Sequence, residues 1–163
     1  MRVMPNDAQA LDLGILLALG YQEFVRQLHE ALAEAGFDDI GRSDGYVFRA
    51  LDETPLSTSA LAARLAITKQ GAAQIVEDMT RRGYLERRPD PQDARARLLC
   101  LSARGRAALA EAHRFHQRYE RGLARTHGPA AVTALRQLLT AMAAVAPVDG
   151  ADAPDPRLRA MYL

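Results

Sequence analysis

The chain has 163 residues, 48% of them hydrophobic and 25% charged, with a formal net charge of +1. This composition supports one domain with a buried core, or a domain plus an arm, and excludes a disordered chain or two full-sized catalytic domains. A single cysteine, Cys100, excludes an intrachain disulfide framework and a multi-cysteine zinc site. The small net charge hides a gradient: residues 1–41 balance at −5, residues 42–106 at +4 and residues 107–163 at +2. Within 79–106, eight arginines face three acids. A basic stretch beside an acidic one is the electrostatic footprint of a polyanion partner, although a solvated surface has the same composition.

Leu13, Leu17, Gly20, Phe24, Leu28, Ala31 and Ala35 recur at spacings of three and four, which predicts a helix from Asp7 to Ala35 closed by Gly36. A second helix is expected over Ser43–Leu51. Pro55 interrupts, and Ser57 or Thr58 caps a short third helix through Leu65. After the tight connection Ala66-Ile67-Thr68, a fourth helix runs from about Lys69 to Arg82 and stops at Gly83, so the third and fourth helices form a helix-turn-helix. Two extended runs follow, 84–88 and 97–101, joined by the turn-forming stretch 89–96, which predicts a hairpin with a basic tip. Ser102 caps a long helix from Ala103 to about Thr126. Gly128-Pro129 breaks it, and a last helix covers about Ala130–Val145 with Val132, Leu135, Leu139 and Met142 on one face. Residues 147–163 read as a flexible tail. The longest apolar run, Leu13 to Leu19, falls far short of the ~20 residues of a membrane span. Asp7 and Asp12 stand where a signal peptide needs positive charge, so a cytoplasmic protein is expected.

A helix-turn-helix followed at once by a hairpin is a winged helix, mostly α with a small β-wing. One side of the fourth helix offers Ala72, Ile75, Val76 and Met79 to a core; the other presents Lys69, Gln70, Ala73 and Gln74. Glutamine can bond two atoms of an adenine edge and alanine can touch a thymine methyl. Gly71 would ease close approach, and the helix start, capped by Thr68, directs N–H groups toward phosphate. Ser57 and Thr58 stand at the start of the preceding helix. Glu77 and Asp78 are unsuited to phosphate and are expected in salt bridges or turned away. In the wing, Arg95 and Arg97 lie at or beside the tip, Arg87 and Arg88 lie on the incoming strand, and Asp93 is placed to hold Arg95. An arginine at a hairpin tip suits a narrow minor groove.

The run 56–70, the stretch Gly83-Tyr84-Leu85 with the wing Asp93-Ala94-Arg95, and the helix start Leu101-Ser102-Ala103-Arg104-Gly105 together resemble the MarR family of bacterial transcriptional regulators. The motifs cover about residues 56–105. The resemblance implies a single domain over 1–163, with a DNA-binding lobe at 43–101 flanked by helices 7–36 and 103–146 that form a homodimer. It implies that helix 68–82 enters the major groove of double-stranded DNA and Arg95 the minor groove. It also implies response to a small molecule or an oxidant, commonly by release from DNA. Oxidant-sensing members use a cysteine in the N-terminal helical region, and none is present there. Cys100 lies in an apolar strand whose alternation is expected to bury it as an inert thiol.

Two lobes related by a two-fold axis would read a palindrome with their helices ~34 Å apart. A small aromatic or anionic effector is expected where the dimer helices meet the lobe, with Tyr21, Phe24, Phe48, His116 and Tyr119 as candidates. No Gly-rich phosphate loop, nucleophile elbow or His-Glu-x-x-His motif occurs, so neither an enzyme nor a cofactor is expected. His113 and His116 are one helical turn apart, but two histidines alone make no metal site, and no metal is expected. The rival reading is a winged-helix module for protein–protein contact without DNA binding. The basic wing and polar reading face argue against it.

Overall fold

Hydroxyl caps punctuate the chain. The Ser57 Oγ accepts the Ala60 N–H at 3.1 Å, the Thr68 Oγ1 the Gly71 N–H at 3.0 Å and the Ser102 Oγ the Gly105 N–H at 3.0 Å. Each satisfies a donor that the first helical turn leaves without a partner. The computed structural model describes residues 11–93 and 96–143, which form six helices and two strands. They are α1 (Leu13–Glu34), α2 (Asp44–Glu53), α3 (Thr58–Leu65), α4 (Lys69–Arg81), β1 (Leu85–Pro89), β2 (Arg97–Leu101), α5 (Ala103–His127) and α6 (Pro129–Met142). The first helix starts at Leu13, where the apolar pattern begins, and not at the expected Asp7, because Asp12 is extended (φ −59°, ψ 146°) and acts as the N-cap. Pro129 is drawn into α6 as its first residue, where its missing N–H costs nothing. The expected helix residues 7–10 and 144–145 and the tail 147–163 lie outside the described residues.

Helices α1 and α4 end in the same way. Gly36 (φ +88°) and Gly83 (φ +79°) take the left-handed conformation, and the next N–H reaches back, Phe37 to the Leu32 carbonyl and Tyr84 to that of Met79. The end of α3 uses the same bond, from Ile67 to the Ala62 carbonyl, but with Ala66 at φ +55°. A Cβ in that region costs roughly 1–2 kcal/mol.

Strands β1 and β2 pair antiparallel, with Leu85 opposite Leu101 and Pro89 opposite Arg97. Leu56, just after Pro55, exchanges two backbone hydrogen bonds with Leu99 and extends the base of the wing on its other edge. Leu99 and Leu101 face inward. Cys100 lies between them on the opposite face, only half-buried, so the alternation that was expected to bury the thiol turns it outward instead.

The core joins α2, α3, α4, the wing and the first turns of α5, with Val47, Leu61, Val76, Met79, Tyr84, Leu99 and Ala108 at or near complete burial. A buried ion group ties it together: the Asp44 carboxylate, 4% exposed, accepts from Arg82 Nη1 at 2.7 Å and Nη2 at 3.3 Å, and from the Gly41 N–H at 2.8 Å. Arg64, also buried, pairs with Glu53 and links α3 to α2. Helix α5 enters closely against the wing root: a Cβ on Gly105 would lie 2.2 Å from the Tyr84 carbonyl oxygen. Further along, α5 packs on α1 and α6.

Candidate nucleic-acid interface

Helix α4 divides cleanly. Ala72, Val76 and Met79 are buried and Ile75 half-buried, while Lys69, Gln70, Ala73, Gln74 and Glu77 are exposed. The spacing explains the division: positions 69, 70, 73, 74 and 77 form one stripe and 72, 75, 76 and 79 the opposite one. Gly71 belongs to neither. It is half-buried, and a Cβ there would meet Thr68 Oγ1 at 3.1 Å, so it serves the cap rather than the exposed ridge. Thr68 and Ser57 are exposed with their hydroxyls engaged as caps, and Thr58 is half-buried. Asp78 is turned into ion pairs, accepting from Arg82 Nη2 at 2.5 Å and from Arg81, and these hold its carboxyl below the usual carboxylate range.

The wing stands beside this ridge. Arg87, Arg88 and Arg97 are exposed, and Arg88 Nε donates to Glu86 at 2.8 Å. Asp93 is exposed in the connecting turn, which closes through the Ala96 N–H on the Asp93 carbonyl at 2.9 Å and the Asp90 N–H on the Ala96 carbonyl at 3.2 Å. Arg95, the expected tip residue, lies outside the described residues with Ala94. Between α4 and β1 runs a depression of about 500 Å³ lined by Ala73, Glu77, Thr80, Arg81 and Arg87. The exposed side of α4 and the wing therefore form one convex helix and one projecting hairpin separated by a basic-edged cleft. A ridge of this shape fits a groove, and flanking arginines fit the phosphates on its walls.

Three of the five candidate effector residues come together where α1 meets α5. The Phe24 ring centroid lies 5.3 Å from His116 and 5.0 Å from Tyr119, with Phe115 at 5.5 Å as a fourth member. Phe115 was missed because nothing in its local spacing separates it from an ordinary core residue. Beside this cluster is an open groove of about 360 Å³ lined by Gln27, Phe115, Arg118, Tyr119, Gly122 and Leu123. Burial among the rings pushes the His116 pKa down, and Arg49 and His113 push the same way against Glu120. The other two candidates sit elsewhere. Phe48 is buried against Tyr84, centroids 5.5 Å apart, because the inner face of α2 enters the lobe core. Tyr21 is 47% exposed on the apolar outer face of α1. His113 is exposed, and among the described residues no three metal-ligating side chains gather. Among those residues no helix is long and apolar enough to cross a membrane.

Residues 38–96 match the family model described as MarR family. No curated protein matches the chain. Among solved structures the fold is similar to a MarR family protein from Bacillus stearothermophilus, at 16% identity over 85% of this chain and 96% of that one, with a TM-score of 0.64. It is similar to the transcriptional repressor CouR bound to a 23-mer DNA duplex, at 23% identity over 88% and 99% of the two chains, with a TM-score of 0.61. It is also similar to MepR of S. aureus bound to ethidium bromide, at 17% identity over 83% and 97%, with a TM-score of 0.61. At these identities the likeness is one of fold. Residues 38–96 thus resemble the MarR family, and the fold around them is the winged-helix fold that these structures share.

Proposed function

We propose that the protein is a sequence-specific DNA-binding transcriptional regulator that acts in the cytoplasm as a homodimer on a palindromic operator, and that it represses. The observation that carries this reading is the exposed ridge Lys69, Gln70, Ala73 and Gln74 beside the exposed wing arginines Arg87, Arg88 and Arg97. Gln70 and Gln74 read base edges, Ala73 permits close approach, and Lys69 with the start of α4 meets phosphate. Ser57, Thr58 and Thr68 border the same groove. The wing lays Arg87, Arg88 and Arg97 along the backbone, with Arg95 entering the minor groove and Asp93 steadying it. A structure of CouR on a DNA duplex supports this use of the fold.

Support for the dimer comes from the apolar surface. All ten exposed large hydrophobic residues among those described lie at Leu11, Leu13, Ile15, Leu16, Leu19 and Tyr21 or at Leu135, Leu138, Leu139 and Met142. Such continuous apolar faces are the mark of an interface, and a second copy supplies the matching surface. The effector is a flat aromatic or anionic molecule received by Phe24, His116 and Tyr119; the MepR structure with ethidium supports a flat aromatic ligand for this fold. It acts only by favouring one spacing of the two lobes over another.

The test is a titration of labelled duplex against protein at several salt concentrations. Affinity should fall linearly in log–log form, and Lys69→Ala, which removes one phosphate contact from each protomer, should weaken binding to all sequences and flatten the slope by about 1.8. Gln74→Ala should change the preferred base instead. Salt-insensitive binding, or none, would favour a winged helix used for protein contact.

A further inference from the structure

The connector between α1 and α2 carries a side chain that no local pattern marks. Asp39 Oδ1 accepts a hydrogen bond from the Tyr84 hydroxyl and another from Arg104 Nη2 at 3.0 Å, and Arg104 Nη2 also lies 3.1 Å from the Tyr84 oxygen. The Asp39 carbonyl accepts from Arg82 Nη1 at 2.6 Å. The three donors belong to three different elements: Arg82 ends α4, Tyr84 roots the wing and Arg104 opens α5. The Arg104 guanidinium lies over two rings, 4.8 Å from the Tyr84 centroid and 5.4 Å from that of Phe37, which is also in the connector.

The protonation states suit a permanent bracket. Burial, and then the acceptor Asp39, push the Tyr84 phenol up to about 12, so it remains a donor at neutral pH. The same hydrogen bond, joined by Arg104, holds the Asp39 carboxyl below its usual range, so it remains an acceptor. Asp39 itself is 39% exposed on its side chain, and the lobe core closes around Tyr84, Met79 and Leu61 without it. Removing the carboxylate therefore loosens the connector without emptying the core.

We propose that Asp39 is a positioning residue for operator reading: it binds the ends of α4, the wing and α5 to the connector from α1, and so fixes the angle between arm and reading lobe. The angle is a property of one chain. Its consequence for DNA rests on the dimeric reading above. A lobe held at one angle meets only half-sites at one spacing, whereas a loosened lobe accepts several, because swinging no longer breaks charge-assisted bonds.

Two measurements test this. In the first, spin labels at Glu30→Cys in α1 and Glu77→Cys in α4, in a Cys100→Ser chain diluted with unlabelled protein, report the distance between arm and lobe. Asp39→Ala should broaden that distribution relative to the parent, Tyr84→Phe should broaden it while keeping the ring packed, and Asp39→Asn should fall between because its amide oxygen still accepts from Tyr84. An unchanged width in Asp39→Ala and Tyr84→Phe overturns the proposal. In the second, unlabelled protein is titrated with a palindrome selected from random DNA and with the same palindrome carrying one inserted central base pair. Asp39→Ala should lower the affinity ratio between the two by about tenfold, the weight of a lost hydrogen bond to a charged group. A ratio equal to that of the wild type, with only a lower melting temperature, means a structural role and overturns the proposal. If the wild-type protein selects no DNA, the DNA-binding reading falls and the spacing claim with it, and the label widths still decide whether Asp39 sets the angle.

Discussion

The reading lobe and the helical arm bury their apolar residues in opposite ways. Helices α2 to α4, the wing and the first turns of α5 share one closed cluster in which Val47, Leu61, Val76 and Met79 have no measurable exposure. Helix α6 buries no residue, and α1 buries only Leu32. Both arm helices are nonetheless rich in leucine. The lobe satisfies itself within one chain, while the arm carries the apolar content of a core without the second layer that would enclose it. On the proposed homodimer, stability and assembly are separable, and substitutions in the two regions should differ in kind.

The largest effect is expected at the seam. Gly105→Ala places a Cβ against the Tyr84 carbonyl, where backbone rather than a flexible side chain must move. It should cost about 3 kcal/mol, at the upper end of overpacking penalties, read as a lower urea midpoint that does not vary with protein concentration. Replacing Leu19 and Leu139 together by aspartate should leave the lobe folded and instead weaken self-association by roughly a hundredfold or more. Sedimentation across a concentration series checks this, and a monomeric wild type would remove the contrast altogether.

A third test probes the junction itself. The His116 pKa is depressed, chiefly by burial, so the folded state favours the neutral ring. Its contribution to stability is then complete above the ordinary histidine value of about 6.5 and is lost as pH falls through the depressed folded value. The melting temperature should drop between pH 7.5 and 5, and His116→Gln should drop less. Equal drops would place the acid sensitivity elsewhere. The smallest effect is a gain: Ala66→Gly relieves the left-handed alanine between α3 and α4, offset in part by added freedom in the unfolded chain. A net stabilisation of about 0.5 kcal/mol is expected in the lobe, with oligomeric state unchanged.

Much of the lobe was legible because its signals are local. The caps at Ser57, Thr68 and Ser102 each accept an N–H three residues on, and the left-handed turns at Gly36 and Gly83 close over five residues. The alternation in β2 was legible too, but its phase was not: which of Leu99 and Cys100 faces inward depends on where the hairpin meets the core. The exposed stripe of α4 follows from helical spacing. The bridge from Leu56 to Leu99 and the gathering of Phe24, Phe115, His116 and Tyr119 do not, since their partners lie far apart in the chain.

By itself, the order of amino acids determined where helices other than α1 begin and stop to within a few residues, that a hairpin follows a helix-turn-helix, and which side of α4 is polar. These are contests between neighbours a few residues apart, decided by hydrogen-bond caps, backbone freedom and periodicity. Tertiary structure alone decided that Asp39 would meet Arg82, Tyr84 and Arg104 across 43, 45 and 65 residues of chain, and that Phe48 would enter the lobe core rather than the aromatic junction. Such meetings are set by how whole elements pack, and a polar side chain in a connector acquires its partners only when several elements converge on it.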